Sequence, residues 1–318
     1  MRLILNTCVI AICCLVGSSW AQSETDPGSQ LNYSPVIQLF SFDGGRTLNQ
    51  AATDPLLLFA ILDNPNARYI QRENARNQKR QEQYEASEDY KKLPEKMAKF
   101  ELAVVKELYP VLEIPKIKLG NDKARPDALI NFQVKNQEGE NVDLNISALP
   151  ANEDETGSTE LHAENSLYYQ FGVSQEDLKA LVDGTYQIVA VLDSKEQTDM
   201  WQGSALSKPI VVTLSREHPE ADWAGSNQQA ILHSNYLMAS HQYLDAELHA
   251  RSWIERHPDS IDGWAQLGDA LAAQNKNEEA RTSWETALAK FRLKYGDNPV
   301  ELPMEIIDRI DELEADQN

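Results

Sequence analysis

The stretch Trp264-Ala265-Gln266-Leu267-Gly268-Asp269-Ala270-Leu271, followed after a short turn by Ala280-Arg281-Thr282-Ser283-Trp284-Glu285-Thr286-Ala287, decides how the C-terminal third folds. Its spacing predicts helices over 260–273 and 277–294 with a turn at Gln274-Asn275-Lys276. Gly268 and Ala280 are small where two antiparallel helices must cross closely, and Leu267, Leu271 and Trp284 are placed to fill the seam. A 34-residue offset repeats the arrangement upstream, laying Leu237 on Leu271, Ala246 on Ala280 and Trp253 on Ala287. Helices over 226–240 and 244–256 are therefore expected. A closing helix over about 302–314 carries Ile306, Ile307, Ile310 and Leu313 on one side.

The run Trp264-x-x-Leu267-Gly268-x-x-Leu271, then Ala280-x-x-x-Trp284-x-x-Ala287, resembles the tetratricopeptide repeat, with Pro258 as the closing proline of the preceding unit. Three positions depart from that pattern: His233-Ser234 stands where Leu267-Gly268 would be copied, and Arg292 replaces the second closing proline. The resemblance covers 227–294. It implies a groove for a protein or peptide, lined by the first helix of each pair: Gln228, Ile231, Asn235 and Met238, then Asp262, Ala265, Asp269 and Ala272. Two repeats are fewer than the three or so that usually make an independent solenoid. The closing helix is expected to cover the open edge, or else to dock on a second copy as a homodimer.

Before residue 216 the texture is β. Runs at 36–40, 56–62, 129–134, 142–146, 167–171, 185–192 and 210–214 predict about seven strands, interrupted by a helical insertion at about 66–110. Within the insertion, Pro94 separates a polar helix over 67–90 from one over 94–108. The second carries Met97, Phe100, Leu102, Val104, Val105 and Leu108 and should dock on something. Leu181-Val182-Asp183-Gly184-Thr185-Tyr186 resembles the tyrosine corner of immunoglobulin-like domains, with Asp183 and Gly184 in the turn and Tyr186 bonding back to the backbone. Ile188 occupies the position of the cysteine in antibody-type domains. The expected organisation is α+β and multidomain: a lead-in over 22–34, a β-sandwich over 35–215, a linker over 216–226 and a tetratricopeptide-like helical region over 227–318.

Residues 1–21 read as a secretory signal. Arg2 precedes an apolar run, and Ser19-Trp20-Ala21 offers small residues for cleavage after Ala21. The run is too short to span a bilayer. All three cysteines, Cys8, Cys13 and Cys14, fall inside it, so the mature chain would have none and would rely on its cores rather than on disulfides. A periplasmic or secreted location follows, without membrane insertion after cleavage. The 318 residues hold 50 Asp plus Glu against 29 Lys plus Arg, a net charge of −21, which argues against nucleic acid and anionic membranes. From Glu217 onward there are 20 acidic and 8 basic residues, so a neutral or basic ligand suits that region. The insertion is basic, with Arg68, Arg72, Arg76 and Arg80 at steps of four.

No sequence signature of a hydrolase, zinc protease or phosphate-binding loop appears, and no catalytic residue, metal site or cofactor is expected. His233, His241, His249 and His257 recur every eight residues. That is about 12 Å of helical rise, too long for two ligands on one metal. The loop at 151–160 carries calcium-type oxygen ligands without the spacing of an EF-hand. These features predict an exported, non-catalytic adaptor that binds a protein or peptide in the helical groove. Alternatives are an accessory protein for a carbohydrate or cell-envelope polymer using Tyr168, Tyr169 or Trp201, and a hydrolase with an unrecognised carboxylate pair.

Overall fold

A seven-residue apolar run in a sheet that faces water on one side would leave every second residue wet; Leu56 to Leu62 avoids this because both faces of its strand are covered. A computed structural model describes residues 34–41, 44–114, 116–119, 125–150, 160–195, 201–216, 223–296 and 303–316. The leader with its cysteines, the lead-in before Ser34, the acidic loop at 151–159 and linker residues 217–222 lie outside the described residues. No helix among the described residues is long and apolar enough to cross a membrane.

The protein is α+β. Strands β1 (Val36–Ser41), β2 (Thr47–Ala51) and β3 (Leu56–Asp63) precede a helical arm of α1 (Pro65–Ala86), α2 (Glu88–Lys91) and α3 (Glu95–Leu108). Then come β4 (Ile117–Lys118), β5 (Ile130–Lys135), β6 (Ser147–Ala148), β7 (Glu160–Leu161), β8 (Leu167–Val173), α4 (Gln175–Ala180), β9 (Gly184–Asp193), β10 (Ser204–Leu206) and β11 (Ile210–Ser215). Helices α5 (Trp223–Ala239), α6 (Tyr243–Arg256), α7 (Ile261–Ala273), α8 (Asn277–Tyr295) and α9 (Met304–Asp316) follow.

One sheet runs β1-β3-β8-β6, with every neighbour antiparallel. In the other, β9 pairs with β5 on one edge and with β10 and β11 on the opposite edge, and β2 lies parallel to β11. Between the sheets, Leu39, Leu58 and Phe171 meet Tyr186, Ile188, Leu192 and Val212, and Phe132 packs edge-to-face on Phe171 at 4.9 Å. Alternate β3 residues Leu58, Ala60 and Leu62 enter this core. Leu57 on the other face joins Leu149, Tyr236 and Ala239, the last two from α5. Gly172 of β8 lies under Tyr236. A Cβ there would stand 2.7 Å from Tyr236 Cε2 and 2.8 Å from Leu149 Cδ2.

The turn into β9 is closed by its own side chain: Tyr186 donates its hydroxyl to the Val182 carbonyl at 2.7 Å. Ser174 caps α4, accepting from the Asp177 amide at 3.1 Å. Residues 142–146, read as a strand, form no ladder of their own, yet Val142, Leu144 and Ile146 pack against the core.

The arm starts at a pinned corner. Asn64 caps α1 by accepting from the Ala67 amide at 3.1 Å, and Arg68 pairs with Asp63 at 2.7 Å and donates to Ser166 Oγ at 2.8 Å. Three carboxamides of α1 hold the returning chain by its backbone. Asn74 exchanges two bonds with Leu112 at 2.7 and 2.8 Å, Asn77 donates to the Pro110 carbonyl at 2.9 Å, and Gln81 to that of Tyr109 at 2.6 Å. Helix α3 departs from expectation. It touches α1, where Tyr84 donates to Glu101, but none of its residues is buried and Met97, Phe100, Val104 and Leu108 are exposed. Beyond its contact with α1 this apolar stripe stays exposed.

Gly172→Ala should cost about 1–3 kcal/mol by overpacking the seam between sheet and α5. Chemical denaturation of the purified chain checks this, and an unchanged midpoint would show that Tyr236 does not fix the seam.

Candidate functional site

One hydroxyl begins α7 and ties it to α6. Ser260 Oγ accepts from the Gly263 amide and from Trp253 Nε1, both at 3.0 Å. A Cβ at Gly263 would lie 2.8 Å from Trp253 Cδ1. The Trp264 indole donates to the Pro258 carbonyl at 3.0 Å, so the proline residue serves through its backbone oxygen while its ring is exposed. Between α7 and α8 the crossing is closer still: a Cβ at Gly268 would fall 2.3 Å from the Trp284 indole. Trp284 packs with Ala250, Leu267, Leu271, Ala280, Ala287 and Ile306, while Leu237, Ala246 and Ala270 form a second small cluster.

Trp284 has a polar end. Its Nε1 donates to the Ala265 carbonyl at 3.2 Å and to Asp269 Oδ1 at 3.0 Å. The same carboxylate oxygen meets Arg309 Nη1 of α9 at 2.7 Å, and both side chains are about 15% exposed or less (14% and 15%). Burial pushes the Asp269 carboxyl above its ordinary range, and the Arg309 guanidinium opposes that rise.

Beside this pair lies a cavity of about 420 Å³ bounded by α5, α7, the end of α8 and α9. Ile231, Asn235, Asp262, Ala265 and Asp269, all anticipated from sequence as groove residues, line it. Gln228 is exposed elsewhere, Met238 packs on the Leu237 cluster and Ala272 on the Trp284 cluster. Asp269 lines the cavity with its carboxylate already held by Arg309 and Trp284. Asp262 accepts from Asn227 Nδ2 at 2.8 Å, and Asp259 pairs with Lys290 at 2.6 Å. Sequence reasoning missed Phe291, Tyr295, Glu305, Ile306 and Arg309 as walls. The repeat pattern describes contacts inside a helix pair and says nothing of where a closing helix lies; the apolar stripe with Ile306 was the available signal.

Nearby, Glu247 is held well below the usual carboxylate range, to about 2, first by Lys276, whose ammonium donates at 2.7 Å, and by Arg251 and Gln274. The histidine series resolves into a pair. His233 and His249 face each other with ring centroids 4.5 Å apart, and His249 Nε2 lies 3.1 Å from the Ala230 carbonyl. Burial, and then the neighbouring His249, lower His233 to about 4. Among the described residues, no group of three or more His, Cys, Asp and Glu is placed to hold a metal. In the sheet-forming half, Tyr169 is buried and Tyr168 and Trp201 are half-buried, so they form no exposed aromatic platform.

No family model, curated protein or solved structure matches this chain.

Gly268→Ala should destabilise the helical half by about 1–3 kcal/mol through the Trp284 clash, read as lost helical signal on denaturation. His233 stays neutral in the fold below the ordinary 6.5 of an unfolded histidine, down to about 4. The unfolded chain therefore binds the extra proton across that window, and stability falls as pH drops from about 6.5 to about 4. His233→Gln should flatten this part of a Tm-against-pH curve.

Proposed function

We propose that this protein is an exported, non-catalytic adaptor that binds a protein or peptide segment in the groove of a two-repeat tetratricopeptide-like module carried on an immunoglobulin-like sandwich. The observation that carries the reading is the cavity between the first helices of the two pairs, whose wall mixes Ile231 and Ala265 with Asn235 and Asp262. Such a wall buries apolar surface and still offers hydrogen bonds, as peptide sites require. The close crossing of Gly268 on Trp284 supports the repeat reading. Support for the sandwich reading comes from the Tyr186 hydroxyl bond to Val182 and the parallel β2–β11 pair at the sheet edge. The export reading rests on residues 1–21.

The net −12 of the region from Glu217 onward favours a neutral or basic segment over an acidic one. Pull-down with the chain beginning at Gln22, from an envelope extract, tests the proposal. Asn235→Ala combined with Asp262→Ala should lower capture of a bound protein at least tenfold without altering the helical signal. Capture unchanged by the double variant would overturn the groove reading.

A further inference from the structure

Helix α9 meets the rest of the protein along one face. Ile306 is buried and Ile310 is packed on the cluster of Leu267, Leu271 and Trp284, and between them Arg309 reaches Asp269 at 2.7 Å. Positions 306, 309 and 310 lie at i, i+3 and i+4, on one face of a helix. The opposite side is wet: Met304 is 56% exposed, and Asp311 and Glu312 face solvent, while Glu305 lies at the cavity's edge. The helix is thus an amphipathic segment whose described contacts include two aliphatic side chains and one guanidinium, alongside the cavity it helps to wall.

Asp269 makes this dock selective. Its carboxylate is largely buried and fixed in place by Trp284 Nε1. A buried charge that loses its partner is costly, so α9 leaves most readily when another cation takes the place of Arg309. A helix with apolar residues at the same spacing and a neutral residue between them would be refused.

We propose that the surface beneath α9 is a docking site for an amphipathic helix bearing an arginine between branched aliphatic residues, and that α9 is the occupant supplied by the chain itself. This rests on the groove reading above and gives it a ligand class: the incoming segment replaces α9, carrying its own guanidinium to Asp269. Because α9 is tethered, it competes at an effective concentration in the millimolar range. The site is therefore closed to weak partners and open to those that present the same three side chains in a stronger setting.

The probe for the test is a fluorescein-labelled peptide of residues 303–316, titrated by polarisation against the full chain and against full-chain Arg309→Ala. The wild-type chain should bind it only near millimolar concentration, and the variant at least tenfold more tightly. A peptide carrying Arg309→Ala should bind neither. Equal affinity for both chains, or equal binding of the peptide without arginine, would overturn the proposal. Should Arg309→Ala lose helical signal, full-chain Ile306→Ala keeps the ion pair and should still bind the wild-type peptide at least threefold more tightly; no gain there also overturns it. Hydrogen exchange at 304–316 should quicken in either variant while β3 and β8 stay protected. The two readings fail separately: peptide exchange without partner capture sinks the adaptor, whereas partner capture without peptide exchange makes α9 a fixed wall of a working groove.

Discussion

The indole of Trp284 fills the space that any side chain at position 268 would need. That exclusion sets how closely α7 and α8 approach, and other features follow from it. The ring is buried among alanines and leucines, which is favourable only if its N–H finds an acceptor, and it finds two on α7. One of them, Asp269, is thereby drawn into a dry place where its charge needs a cation, and Arg309 brings α9 to supply it. A steric fact about glycine becomes an electrostatic fact about the last helix, and the cavity takes its shape from both.

The seam between the sheet and α5 uses the same device. Gly172 lies under Tyr236 as Gly268 lies under Trp284. Small residues under aromatic rings let the backbone and an amphipathic side chain approach while the polar end stays near a partner. The ring of Tyr236 also helps explain why β3 is apolar along nearly its whole length, since the helical half covers the sheet face that would otherwise meet water. With all three cysteines of the chain confined to its first 14 residues, the described cores are held by packing of this kind rather than by disulfide cross-links.

Where local chemistry decides the structure, the sequence could be read. The Ser174 cap, the close crossing at Gly268 and the Tyr186 hydroxyl bond are each settled by a few neighbouring residues, and each forms where the residues indicate. The helices from α5 to α9 lie within a few residues of their expected bounds for the same reason. Strand β2 was missed because Thr47-Leu48-Asn49-Gln50-Ala51 gains its place from a parallel partner more than 150 residues away. The stripe on α3 misled, since amphipathicity states that a face could be covered and not that anything covers it. Around the cavity, Ile231, Asn235, Asp262, Ala265 and Asp269 lie where the sequence spacing set them, whereas Gln228, Met238 and Ala272 do not line it. The share taken by α9 depends on a long-range ion pair that no periodicity encodes.

The grip of α1 on residues 109–112 has a different kind of consequence. Asn74, Asn77 and Gln81 hold that segment by its amide and carbonyl groups, leaving the side chains of Pro110, Val111 and Leu112 outward and exposed. At 110–112 the clasp reads only backbone and is indifferent to which residues pass through it, whereas at 109 Arg80 also lies over the Tyr109 ring at 5.0 Å. This short stretch is therefore free to drift, or to be rewritten as an epitope, without loosening the 22-residue helix beside it, a rod of roughly 33 Å. The arm is a natural place to display a chosen peptide.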